Sequence, residues 1–152
     1  MKTTALALAG LLAFSTLAGA AQIPNVQEIV DHLKFMGYQV TVGEDQDKIE
    51  VTHPVHLNFL LRPFRGGLLI STYFIATEYG KANRAEFVEF ANELNVEAAA
   101  ARYYIDKDGD LAIEGYYPGD YDKSRFQVFL DAFNLTQGQL AERGETLRKL
   151  AQ

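Results

Sequence analysis

Between Phe87 and Phe133 the chain switches from one side-chain periodicity to another and back, and this limits the possible folds more than any other feature. Helical spacing in FVEFANEL gives way to ARYYI, a polar DKDGD, then LAIEGYY, and a second helical stretch that opens at Ser124. Asp108-Gly109 between two apolar-rich runs is a hairpin signal, because Gly takes the positive φ that a tight turn needs. The segment therefore predicts helix, hairpin, helix.

The rest of the chain extends that pattern. Val26, Ile29, Val30, Leu33 and Met36 make one apolar helical stripe, with Asn25 and Glu28 as a capping pair and Gly37 as its stop. Tyr38, Val40 and Val42, then Ile49 and Val51, alternate with polar residues around an acidic loop at 43–47. Residues 57–62 and 67–76 form a second strand pair, which turns across Pro63, Arg65 and Gly66-Gly67. The later strand is apolar on both faces. It is expected at the centre of the sheet, with helices on one side and a partner subunit on the other.

Asn83 with Glu86 reads as the cap of a second helix with Phe87, Phe90, Ala91 and Leu94 on its stripe, and Asn95 as its terminator. Ser124 with Gln127 reads as the cap of a third, which carries Phe126, Phe129, Leu130 and Phe133. Thr136 and Gly138 are expected to interrupt it before a last helical piece at 140–150. The prediction is an α+β fold: an antiparallel sheet of five to six strands flanked by three helices, order α-β-β-β-β-α-β-β-α.

The first twenty residues have a different character. Lys2, an apolar run from Ala5 to Ala18, and small residues at Ala18 and Ala20 read as a secretory signal peptide spanning 1–20. The run is short for a membrane span of roughly 20 residues, and no basic stop-transfer flank follows it. Residues 21–152 then form a single domain in an exported, periplasmic or secreted protein without membrane insertion. Cleavage would remove only the charge of Lys2 and move the net charge from -6 to -7. With no cysteine the domain holds by packing alone, and thiol chemistry is excluded. The acidic balance argues against nucleic acid as a partner.

Three constellations invite a chemical reading. Asp106, Asp108 and Asp110 alternate like the first ligands of a calcium loop, but Gly109 falls in the wrong place and Tyr117 stands where a bidentate Glu is needed. His53 and His56 lie beside Pro54, with His32 far away; a solvated loop explains them better than zinc, which needs three or four ligands. No nucleophile turn accompanies the Ser, His and carboxylate residues. We therefore assign no catalytic, metal or cofactor residues. Tyr103-Tyr104 and Tyr116-Tyr117 lie on the two arms of the hairpin, so one of each pair faces inward and the other outward. The outward members are either sheet stabilisers or interface anchors, and these four residues mark the candidate partner surface.

ANELN at 91–95, ARYYIDKDGDLAIEG at 101–115 and the aromatic helix that follows resemble the YbjN-like family of bacterial proteins, described as sensory transduction regulators. The resemblance implies a type III secretion chaperone-like fold, often paired as dimers and used to bind other proteins. Leu94 stands where members often carry Trp, and an export signal departs from a cytoplasmic chaperone role. The family offers no catalytic residues to transfer. The expected function is a non-catalytic, exported module of the YbjN type that forms a homodimer through its sheet and binds an unidentified protein or peptide. The alternative is a small-molecule sensor with a pocket between the sheet and the third helix; a small hydrolase ranks third.

Overall fold

The computed structural model describes residues 21–152, so the expected signal peptide lies outside the described residues. The elements run α1 (Val26–Phe35), β1 (Gln39–Val42), β2 (Ile49–Thr52), β3 (Phe59–Phe64), β4 (Gly67–Phe74), α2 (Glu78–Ala82), α3 (Arg84–Glu97), β5 (Arg102–Ile105), β6 (Leu111–Pro118), α4 (Lys123–Glu142) and α5 (Gly144–Leu150). All six strands join one antiparallel sheet in the order β1-β2-β3-β4-β6-β5. β4 is central, as its two apolar faces predict.

Alternation along the strands sends one set of side chains into the helical layer. Ile49, Val51, Phe59, Leu61, Leu68, Ile70, Leu111, Ile113 and Tyr117 share one core with Ile29, Leu33, Phe87, Leu94, Phe126, Leu130 and Phe133. Phe126, Leu130 and Phe133 are fully buried, each contributing about 1.5–3 kcal/mol by area. Phe133 comes close to β6 because Gly115 lies beneath it, where a Cβ would lie 2.9 Å from the Phe133 ring and 2.8 Å from the Ala100 carbonyl oxygen.

The turns follow local chemistry. Arg65 (φ 45°) and Gly66 (φ 76°) make a two-residue hairpin turn with positive φ at both positions, so Gly67 belongs to β4. Strand β3 passes through Pro63 because its pairing with β2 stops at Leu61, and no ladder N–H is needed beyond it. At the β5–β6 tip, Asp106 Oδ1 accepts the backbone N–H groups of Asp108 (2.9 Å) and Asp110 (3.0 Å).

Among the described residues there are five helices, the expected three together with the short α2 and with α5 inside the last helical piece expected at 140–150, and their ends differ from the capping motifs. Asn25 adopts a left-handed conformation (φ 55°) and makes no side-chain cap. Asn83 closes the short α2, donating from Nδ2 to Tyr79 O, and leaves α3 uncapped by a side chain. Helix α4 is capped by Asp122, whose Oδ1 accepts from Arg125 N at 2.8 Å, so Ser124 lies inside the helix. Helix α4 runs unbroken past Thr136 and Gly138, and the buried Thr136 hydroxyl is satisfied within it by donating to Phe133 O (2.6 Å). The chain then returns to the sheet. Ile75 and Gln152 exchange both backbone hydrogen bonds, and Thr77 N donates to Leu150 O.

The two edges of the sheet are treated differently. Beyond β5, Asn95 Oδ1 accepts from Tyr103 N and Asn95 Nδ2 donates to Tyr103 O, both at 2.8 Å. One side chain thereby replaces a neighbouring strand, and Asn95 works inside α3 rather than terminating it. Beyond β1 nothing equivalent stands among the described residues. The Gly43 N to Lys48 O bond and the register Thr41↔Glu50 turn the backbone groups of Val40 and Val42 away from β2, off the end of the sheet.

Candidate functional site

The face of the sheet opposite the helices is the most distinctive surface of the molecule. Cross-strand register arranges its side chains in rows: Leu60, Ser71, Glu114 and Arg102; Arg62, Leu69 and Tyr116; Tyr73, Ala112 and Tyr104. Leu69 and Ala112 are buried on this face yet belong to no part of the helical core. Tyr73 and Tyr116 remain 45% and 42% exposed, and Phe64 packs edge-on against Tyr116 with ring centroids 6.0 Å apart.

At the centre of these rows sits a carboxylate. Glu114 is only 5% exposed, and its Oε2 accepts from Arg102 Nη2 (2.5 Å) and Nε (3.2 Å). Arg62 Nη2 lies 3.6 Å from Glu114 Oε1 and donates no hydrogen bond among the described residues. Arg102 also lies 5.2 Å from the centre of the Tyr104 ring, and its hydrogen bond to Glu114 holds the guanidinium above its usual pKa range. Burial, and then the Glu114 charge, push the Tyr104 phenol upward. Across the strand from Glu114, the buried Ser71 Oγ has no hydrogen-bond partner among the described residues.

The tyrosines divide as the alternation requires. Tyr104 and Tyr116 point to the open face, whereas Tyr103 and Tyr117 are buried under the helices. Tyr103 donates to Thr136 O (3.3 Å) or Gln139 Oε1 (3.1 Å), and burial pushes its phenol up to about 12. The candidate surface thus keeps two of its four tyrosines. It gains Arg62, Leu69, Ser71, Tyr73, Arg102 and Glu114, which the sequence reading did not single out. The available signal was Glu114 itself, a lone charge inside the apolar strand LAIEGYY.

The other constellations have structural occupations. His53 Nδ1 accepts from the backbone N–H of Val55 and His56, and the two imidazoles stack at 4.5 Å. His32 is buried between α1 and α4, bonded to Tyr121 Oη (2.7 Å) and Gln127 Oε1 (3.1 Å). Asp110 Oδ1 accepts from Ala76 N. Among the described residues no group of three or more His, Cys, Asp or Glu is placed to hold a metal ion. No helix among them is long and apolar enough to cross a membrane. The space between the sheet and α4 is filled by Phe126, Leu130 and Phe133.

An open antiparallel sheet with helices on one face and an aromatic, arginine-bearing surface on the other defines an α+β class of protein. Within that class, the chain is similar in structure to the crystal structure of YbjN from E. coli, a protein described as a proposed transcription regulator. The TM-score is 0.63 over 85% of this chain and 96% of that one, at 10% sequence identity. At that identity the likeness establishes a shared YbjN-like fold. No family model and no curated protein matches the sequence.

Proposed function

We propose that this chain is a non-catalytic, exported protein-binding module that pairs as a homodimer and offers the open face of its sheet to a protein partner. The carrying observation is that open face: exposed Tyr73 and Tyr116 surround buried Leu69, Ala112 and Glu114, the Tyr- and Arg-rich composition of binding hot spots. The YbjN-like fold supports a regulatory or chaperone-like role of this kind. The leader-like residues 1–20 support export.

Pairing is assigned to the bare β1 edge. Two copies related by a two-fold axis can exchange the outward N–H and C=O groups of Val40 and Val42, which makes the contact self-complementary. The open face is less suited to self-pairing, because a two-fold through its centre would set the Arg62 and Arg102 pair against the same pair of the second copy.

Sedimentation velocity across micromolar concentrations tests the assignment. The expected result is a reversible dimer for the wild type and a folded monomer for Val42→Pro, which removes an outward donor without breaking the β1–β2 ladder. A wild type that stays monomeric would remove the dimer from the account, and a Val42→Pro chain that still pairs would remove its assignment to the β1 edge.

A further inference from the structure

The arginine pair on the open face has unused donors, and this points to the chemistry of the partner. Arg102 spends two N–H groups on Glu114, and Arg62 spends none in a hydrogen bond. Both side chains are accessible, 43% exposed for Arg62 and 67% for Arg102, while the carboxylate between them is buried. Two cations over one anion leave a net positive centre on a chain whose total charge is -6. Glu114 draws the two guanidinium groups together from β3 and β5, strands that do not touch each other.

Shallow hollows lie on both sides of this ridge. One, of about 390 Å³, is bordered by Leu69, Ala100, Tyr116 and Phe129. The other, of about 370 Å³, is bordered by Leu60, Ser71 and Tyr73. Ser71 Oγ, buried and without a hydrogen-bond partner among the described residues, stands opposite Glu114 in the register of β4 and β6.

We propose that Arg62 and Arg102 form a carboxylate-binding subsite, which takes an Asp or Glu side chain from an extended segment of another protein, with apolar neighbours of that residue in the two hollows. Charge complementarity selects this occupant: planar guanidinium groups bind carboxylates through paired N–H donors. The inference rests on the protein-binding reading of the open face, but does not depend on the dimer.

The probe is a capped hexapeptide of alternating Val and Glu, compared with the isosteric peptide in which Gln replaces Glu. Titrations are followed by the Arg Nε–Hε and backbone amide resonances of the full chain. The Glu peptide should shift both arginine signals and bind at least tenfold more tightly than the Gln peptide, by a margin that shrinks as salt is raised. Arg62→Gln should remove most of that margin; this variant leaves the Arg102–Glu114 hydrogen bonds in place, so folding is not at stake. Equal binding of the two peptides at open-face amides would overturn the carboxylate subsite and leave the protein-binding reading standing. Absence of binding by either would overturn the subsite, with the dimer judged separately through Val42→Pro.

Discussion

The two edge strands of this sheet are each four residues long, yet among the described residues one is closed and the other is bare. At β5, helix α3 lies alongside, and Asn95 takes both backbone groups of Tyr103. At β1, the Val40 and Val42 groups face outward and Val42 is 36% exposed. An unpaired edge is a template for another strand, and chains usually blunt both. Closing one edge while leaving the other short and accessible leaves a single place for the pairing proposed above.

Each edge can be altered without touching the other. The largest effect is expected for Leu94→Ala, which removes a fully buried contact of the helix that covers β5: on the order of 3–4 kcal/mol, measured by urea unfolding. Asn95→Ala leaves the Tyr103 N–H and C=O without partners. It should cost about 2 kcal/mol and convert the closed edge into a second sticky one, visible as larger oligomers in light scattering.

A pH signature belongs to the closed edge as well. Burial raises the Tyr103 phenol from its ordinary 10.0 to about 12 in the folded state. Its contribution is therefore complete below pH 10 and is lost as pH rises through about 12. Urea midpoints should fall across that window, and less steeply in Tyr103→Phe. Tyr121, raised to about 12 by burial and then by the Glu28 charge, accounts for part of the remaining slope. The smallest effect on stability, within about 1 kcal/mol, is expected for Val42→Pro on the bare edge, where the variant should act on association instead.

How far each edge was legible in the sequence follows from range. The hairpin at 101–117, the central β4 and the inward and outward split of the tyrosines depend on periodicity alone, and they form as read. The capping pairs failed because letters at spacing three do not fix the backbone: Asn25 is left-handed, and Asp122 outcompetes Ser124. Asn95 was read as a terminator because its partner, Tyr103, is found only once α3 folds back on β5. Helix α2 is five residues long and is held by the returning C-terminal segment, which no local pattern announces. The Arg62–Glu114–Arg102 centre needs the register of four strands, β3, β4, β6 and β5. Only the lone Glu114 was visible beforehand.

The contrast between the edges is tested most directly by residue-resolved amide hydrogen exchange at low and high protein concentration. The Tyr103 amide should exchange slowly at every concentration, and the Val40 and Val42 amides should exchange fast when dilute and slowly when concentrated. Val40 and Val42 amides that exchange at the same rate at both concentrations, or a Tyr103 amide as labile as theirs, would contradict that contrast.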